Sequence, residues 1–319
     1  MNYTPILLEI MQINEEKRFE LYIKQEGKHI LFVGKNVAFS EEHRLRLIES
    51  GTTELFVKAH DQKHVQQYTA KHLDKILANP RIPSPEKAKV FYTSSTHTMQ
   101  RAFDDPRANT IADMKRSIKC LIQNIVEDQA VMQDLFRITS HDYYTYTHCV
   151  NVGIFATALA IKLFGLQGGE HDIEALSCGF FLHDIGKTKV PLSILNKPTD
   201  LNKAEWEVMK RHPQWGYQIL LETGHLSDQA AHIILEHHEQ HDGKGYPYGK
   251  KGDEIHLYAR ICAIADTFDA LTTMRSYKRA KETFEALKYM KHEMCHEFDP
   301  EFFATFVMIF APPDYKVSA

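Results

Sequence analysis

Residues 180–187 read Phe180-Phe-Leu-His183-Asp184-Ile-Gly-Lys187, and this stretch gives the first indication of how the longer part of the chain folds. The apolar residues predict the buried end of a helix, after which a histidine and an aspartate stand side by side. An imidazole can bind one cation and a carboxylate can bridge two, so the pair suits a metal site. Adjacent histidine and aspartate also arise often by chance, so the stretch alone is a weak signal.

A second pattern of potential ligands runs from Glu236-His237-His238-Glu239 to Gly245-Tyr246-Pro247. Two adjacent histidines close a helical segment and a glycine-rich loop follows, in which glycine lets the backbone turn tightly and approach a ligand. Further on, Asp266 lies in an apolar helix, where an ionised carboxylate is rarely buried without a charged or metal partner. The cations Arg275 and Lys278 follow it, within reach of an anionic ligand.

Two single histidines extend the set. His148 shares a predicted helix with Val152 and Phe155, and this spacing puts it on the core-facing side. His212 precedes a proline. Taken alone, each of these histidines is more often a core or capping residue than a ligand, and Asp266 alone is as often a salt-bridge partner. The metal-site hypothesis depends on all of them occurring together.

The order of these residues resembles that of the HD phosphohydrolase superfamily, and HDIGK followed by HHEQHDGKGYP resembles its HD-GYP branch. The resemblance covers roughly residues 143 to 310 and implies an all-α HD-type domain with two divalent metal ions. Iron is the expected metal, with manganese as the alternative. The implied ligands, with Asp184 bridging the two ions, are His148, His183, Asp184, His212, His237, His238 and Asp266.

The resemblance also implies roles in catalysis and substrate binding. Asp184 and Lys187 are expected to be catalytic, and the expected substrate contacts are Lys187, Tyr246, Arg275 and Lys278. Some family members bind a third metal through a glutamate one helical turn before the first histidine. Tyr144 stands at that position here and offers no carboxylate, so a binuclear site is expected.

The implied activity is hydrolysis of cyclic di-GMP to pGpG, GMP or both by a metal-activated hydroxide. One alternative is a catalytically weak cyclic di-GMP sensor that signals through partners. Another is an HD phosphohydrolase acting on other nucleotides, such as dNTPs or ppGpp. A GGDEF domain or another protein could bind at the GYP loop, and a homodimer is left open.

The chain as a whole is expected to be α+β. We predict a small α/β accessory or regulatory domain over residues 1–80, a helical linker over 81–136 and the HD-GYP catalytic domain over 137–315. In the first part, the alternation of residues 18–24 and 29–33 predicts a hairpin, and residues 53–57 a third strand. Ser40 is expected to cap a helix, and residues 61–77 are expected to be helical; prolines in 79–85 mark a boundary.

Composition narrows the class of protein. The 319 residues carry a formal charge of −4, without the basic excess typical of proteins that bind long nucleic acid. Five scattered cysteines favour reduced thiols in a cytoplasm over disulfides. The N-terminal residues do not resemble a signal peptide. The longest apolar run, residues 150–166, is interrupted by Asn151 and Lys162, so no membrane span is expected.

Overall fold

The computed structural model describes residues 2–128, 130–139, 144–166, 170–273 and 280–311. The chain forms two compact units, Met1–His97 and Thr98–Ala319. The division between them falls inside a long helix, α4 (Ser84–Asp104), whereas the sequence placed boundaries near residues 80 and 136. The prolines of residues 79–85 precede this helix, so they set its beginning and the compact unit continues beyond them.

The first unit is a four-stranded antiparallel sheet with short helices, in the strand order β1-β4-β2-β3. The predicted hairpin is present as β2 and β3, which turn through Glu26 and Gly27, both with positive φ. The predicted third strand is β4. The strand at the N-terminal end, β1, was not predicted. The elements are β1 (Tyr3–Leu7), β2 (Leu21–Gln25), β3 (Lys28–Val33), α1 (Glu41–Glu49), β4 (Glu54–Lys58), α2 (Gln62–Lys71) and α3 (Leu73–Leu77).

The start of α1 shows how the sequence fixes a helix end. The Ser40 hydroxyl accepts a hydrogen bond from the His43 backbone N–H at 3.2 Å. In return, the Ser40 N–H donates to His43 Nδ1 at 3.0 Å. The imidazole thus takes the place that glutamate usually has in a capping box, and both otherwise unpaired donors are satisfied.

Among the described residues of the second unit, all the regular elements are helices, which agrees with the predicted all-α domain. Its helices after α4 are α5 (Ala108–Glu127), α6 (Ala130–Ile138), α7 (Thr145–Phe164), α8 (Ile173–Leu182), α9 (Leu192–Leu195), α10 (Lys203–Met209), α11 (His212–Glu222), α12 (Asp228–Glu236), α13 (Leu257–Thr272), α14 (Thr283–Glu293) and α15 (Pro300–Ile309). The chain is therefore α+β overall.

Helix α7 is the central helix of this unit and packs against α8, α13 and α15. By length and composition it could cross a membrane, but 78% of its most apolar window is buried inside the protein. The helix is therefore apolar because it forms the core. At Gly153, an added Cβ would lie 2.3 Å from the ring of Phe181 on α8, so this contact requires glycine. The close contact packs the middle of α7 against the last turn of α8.

Candidate metal centre

His183 and Asp184 directly follow the last residue of α8, and both side chains are fully buried. Two residues later, Gly186 packs against the first turn of α11. A Cβ at Gly186 would lie 1.9 Å from the carbonyl oxygen of His212 and 2.4 Å from the amide nitrogen of Gly216. Only glycine allows this backbone contact. The Ile-Gly of the HDIGK motif thus places His212 beside Asp184.

The two carboxylate oxygens of Asp184 face two different sets of histidines. Oδ2 lies 3.6 Å from His148 Nε2 and 3.5 Å from His183 Nε2. Oδ1 lies 3.2 Å from His212 Nε2 and 3.7 Å from His237 Nε2. Asp184 is therefore shared between two groups of potential ligands, as a bridging carboxylate would be.

Asp266 and His238 complete the two groups. Asp266 Oδ1 lies 3.0 Å from His148 Nε2, and its Oδ2 lies 3.6 Å from His238 Nδ1. The potential ligand atoms within each group lie within 4.8 Å of one another. The structure thus brings together every residue that the sequence suggested as a ligand. One group contains His148, His183 and Asp266, and the other contains Asp184, His212, His237 and His238.

Hydrogen bonds to the backbone orient three of the imidazoles. A carbonyl oxygen only accepts, so each Nδ1 carries the hydrogen and each Nε2 presents its lone pair to the site. The Nε2 atoms of His212 and His237 lie 3.3 Å apart, and a cation bound between them would relieve the repulsion of two facing lone pairs. The three pairs are His183 with Phe180 at 2.8 Å, His212 with Met209 at 2.8 Å and His237 with Ile234 at 2.9 Å.

His148 is oriented by a carboxylate instead. Its Nδ1 lies 2.6 Å from Asp269 Oδ2. The other oxygen of Asp269 accepts a hydrogen bond of 2.8 Å from the side-chain amide of Asn151. All three side chains are buried. Asp269 therefore acts through His148, which it turns so that Nε2 faces Asp184 and Asp266.

The two central carboxyl groups are ionised although Asp184 is fully buried and Asp266 is only 15% exposed. Burial alone would raise the pKa of Asp184, but the charge of the neighbouring Lys187 is the main cause that holds it well below the usual range. The pKa of Asp266 is also well below its usual range, because the hydrogen bond and charge of His148 outweigh burial. Burial and the neighbouring His237 lower the pKa of His238, which favours the neutral imidazole. Burial lowers the pKa of His148, but its hydrogen bonds to Asp266 and Asp269 outweigh burial and raise it to about 10, so this imidazole carries a proton that a metal ion would displace. Ionised carboxylates and neutral imidazoles are the forms that bind metal.

This donor set fits divalent metal ions. It offers imidazole nitrogens and carboxylate oxygens, a combination suited to first-row transition metals. Cys149 Sγ also lies near His183 and Asp184. Burial raises the pKa of the Cys149 thiol well above its usual value, and a protonated thiol is a poor ligand. The two groups that contain the predicted ligands thus offer nitrogen and oxygen donors.

A cavity of about 740 Å³ opens beside the ligands and contains both Lys187 and Tyr246. The Lys187 ammonium is paired with Asp184 Oδ2. The Tyr246 ring stacks on His238 with centroids 4.6 Å apart, and the Tyr246 N–H donates to the His238 carbonyl at 3.1 Å. A Cβ at Gly245 would lie 2.4 Å from Glu239 Cα, so glycine is needed for the loop to fold back here.

Two predicted substrate contacts, Arg275 and Lys278, lie outside the described residues. Conversely, sequence reasoning missed Glu239, a buried carboxylate that accepts hydrogen bonds from the Tyr248 and Lys250 N–H groups at 2.6 and 3.0 Å. It also missed Trp206, which lines the cavity. The position of Glu239 within the HHE string was the only available signal for its role, and Trp206 belongs to no motif.

Comparison with known proteins identifies the class. Residues 165–302 match the family model described as an HD domain. The chain is 34% identical over 224 residues to a cyclic di-GMP phosphodiesterase of Pseudomonas aeruginosa, covering 70% of this chain and 52% of that protein. It is 38% identical over 233 residues to a 3'3'-cGAMP-specific phosphodiesterase of Vibrio cholerae, covering 73% and 46%. It thus spans about half the length of these relatives.

A solved structure shares the fold. The HDG"Y"P protein from Bdellovibrio bacteriovorus superposes with a TM-score of 0.64 at 20% identity, over 96% of this chain and 98% of that one. The helical unit is therefore an HD domain with a buried site suited to divalent metals. With its HDIGK and HHEQHDGKGYP motifs and these relatives, the chain belongs to the HD-GYP family.

Proposed function

We propose that this chain is a metal-dependent phosphodiesterase that hydrolyses cyclic di-GMP to pGpG, GMP or both. The observation that carries the proposal is the shared position of Asp184, whose two oxygens face separate sets of histidines. A carboxylate in this position suits a pair of cations about 3.5–4 Å apart, the arrangement of two-metal phosphodiester hydrolysis. The name of the Pseudomonas aeruginosa relative supports cyclic di-GMP as the substrate.

The proposed ligands are the seven residues of the two groups, which would hold two divalent ions with Asp184 between them. Iron is the proposed metal and manganese the alternative, because the set combines five imidazoles with carboxylates and contains no ionised thiol. Bound ions would supply Lewis acidity toward the phosphate and lower the pKa of a water molecule. Tyr144 is the residue directly before α7, and its exposed side chain offers no carboxylate, which supports two ions rather than three.

The chain's own residues prepare the site for a phosphodiester. Lys187 places an ammonium group at the cavity wall, where it would neutralise negative charge that grows on the phosphate. Burial raises the pKa of the Tyr246 phenol, so the hydroxyl keeps its proton at neutral pH and can donate to the substrate. Arg275 and Lys278 are proposed as further phosphate contacts on the strength of the motif alone.

The substrate has a second candidate, 3'3'-cGAMP. A relative named for that specificity is as similar to this chain as the one named for cyclic di-GMP. The two nucleotides share the same cyclic phosphodiester backbone and differ in one purine. The metal ligands, Lys187 and Tyr246 would serve both, so the choice between them depends on the residues that contact the bases.

The test is a metal analysis and a turnover assay on the same anaerobic preparation. Iron- and manganese-loaded protein should convert cyclic di-GMP to pGpG or GMP, with 3'3'-cGAMP, a dNTP and ppGpp as competing substrates. The H183A/D184A double variant should lose both metal and turnover while it keeps its helical circular dichroism. Hydrolysis retained in that variant contradicts the mechanism. Binding without any product would favour a sensor, and preferred cleavage of the dNTP or ppGpp would favour another HD activity.

The remaining proposals concern the location of the protein, its partners and the role of residues 1–80. A cytoplasmic location is supported by cysteines that form no disulfide and by the burial of α7 within the domain. A GGDEF domain or another protein could bind at the GYP loop, where Tyr248 is exposed. For residues 1–80 we propose a regulatory or dimerising role. We also propose that the chain binds neither a membrane nor long nucleic acid. Unchanged oligomeric state and turnover after deletion of residues 1–80 would remove that role.

A further inference from the structure

Trp206 has a position that neither the fold nor the metal site explains. Its side chain is 44% exposed, although a tryptophan on a free surface gives up much of the gain from burial. It lines the same cavity as His238, Tyr246 and Lys187. A large aromatic ring left open inside a ligand cavity is typical of a binding contact.

An unbroken series of rings leads from the metal ligands to this tryptophan. The Tyr246 ring stacks on His238 at 4.6 Å, with an interplanar angle of 26°. Trp206 meets Tyr246 edge to face at 5.9 Å and 74°. Two ring contacts therefore separate the indole from a metal ligand, and a nucleotide whose phosphate reaches the ligands would have its base on this side of the cavity.

The indole is also held on a rigid element. Asn202 and Glu205 form a reciprocal capping box at the start of α10, with hydrogen bonds of 3.0 and 2.8 Å. Lys197 adds an ion pair of 2.6 Å to Glu205, which ties the preceding loop to the helix. Trp206 is the next residue of α10 after Glu205. Its backbone is therefore already fixed, and little conformational entropy is lost when a ligand binds.

From these contacts we propose that Trp206 is a base-stacking residue that binds one purine of the cyclic dinucleotide. This inference rests on the proposed function and adds the residue that recognises the base. Stacking is tolerant of base identity because every base offers a π-face. Trp206 should therefore contribute equally to the binding of cyclic di-GMP and 3'3'-cGAMP, and should leave the choice between them to other cavity residues.

The kinetic test compares W206A and W206F with the wild type, using F284A as the control. Phe284 is 76% exposed and does not belong to the described cavity lining. W206A should raise KM for both dinucleotides about tenfold or more, with kcat within about threefold, and W206F should recover most of the loss. Hydrolysis of methyl p-nitrophenyl phosphate, whose single ring is the leaving group, should be unaffected. An unchanged KM, or an equal loss on this small diester, would overturn the inference.

A binding test does not depend on turnover. The chain has two tryptophans, and Trp215 is not among the described residues of the cavity. In W215F protein, cyclic di-GMP should therefore quench the remaining indole fluorescence with the same midpoint as binding measured by calorimetry. Binding without any quench overturns the stacking role alone. If the wild type neither binds nor hydrolyses any cyclic dinucleotide, the proposed function itself is contradicted.

Discussion

Asp269 Oδ2 lies 2.6 Å from His148 Nδ1, and this buried contact orients a histidine on α7 from a residue on α13. The second oxygen of Asp269 is occupied by the amide of Asn151. The carboxylate therefore accepts two hydrogen bonds at once. An asparagine at position 269 has a single acceptor oxygen and could satisfy only one of the two donors.

We accordingly expect D269N to weaken metal binding about 10- to 100-fold, the usual effect of removing a partner that orients a ligand. Competition with a chromophoric chelator would measure the affinity. D253N is a suitable control, because the Asp253 side chain is 95% exposed and pairs only with Arg260 among the contacts described. An unchanged metal affinity in D269N would mean that His148 needs no such support.

The contact between Gly186 and the start of α11 predicts a second effect. The methyl group of G186A would overlap the His212 carbonyl oxygen, which is backbone and cannot rotate away. Asp184 and His212 must then separate, so we expect a stability loss of about 1–3 kcal/mol and a lower metal content. Thermal unfolding and elemental analysis measure the two effects. G34A is the control, since its Cβ would meet only an ordinary contact at 3.7 Å.

The shared carboxylate predicts different stoichiometries for single substitutions. D184N should lose both ions, because each group of histidines depends on one of its oxygens. H212A should lose mainly the ion of its own group and keep the other. Elemental analysis after dialysis distinguishes these outcomes, and D228N, an exposed change on α12, serves as control. Equal metal contents in D184N and H212A would argue against a bridging role.

Cysteine reactivity gives an independent check on burial in the helical unit. Burial raises the pKa of Cys178 to about 12 and those of Cys149 and Cys262 well above their usual values. These thiols stay protonated at pH 8, and only the thiolate reacts. Cys120 is buried as well, whereas Cys295 is exposed.

Iodoacetamide at pH 8 should therefore modify the native protein at one cysteine, Cys295. In denaturant it should modify all five cysteines. Peptide mass spectrometry identifies the sites, and C295S should give almost no native adduct. Rapid modification of Cys149 in the native protein would show that the region behind His183 opens to solvent.

Local patterns predicted the hairpin, the capped helix α1 and the helical second unit, because alternation, capping residues and helical spacing are each visible within a short stretch of sequence. Strand β1 was missed because its five residues, Tyr-Thr-Pro-Ile-Leu, show no clear alternation, and only Ile6 among them is buried. Pro5 also argues against a central strand, but β1 lies at the sheet edge, where proline is tolerated.

The candidate ligands could be named in advance because the family motif lists them in order. What the motif could not give was their division around the two oxygens of Asp184, which depends on how α7, α8, α11, α12 and α13 pack. The role of Asp269 depends on its contact with His148, which lies 121 residues earlier in the chain. Trp206 follows no pattern, since a cavity wall is built from residues that are distant in sequence.

The sharing of Asp184 also has an evolutionary consequence. A residue that serves both halves of a cluster cannot be changed to adjust one half alone, so selection has little freedom at the reactive centre. Divergence toward a new nucleotide is then confined to the outer wall of the cavity, around α9 and α10, where substitutions leave the cations undisturbed. Proteins that share this cluster can in this way come to bind different ligands while they keep the same arrangement of side chains around Asp184.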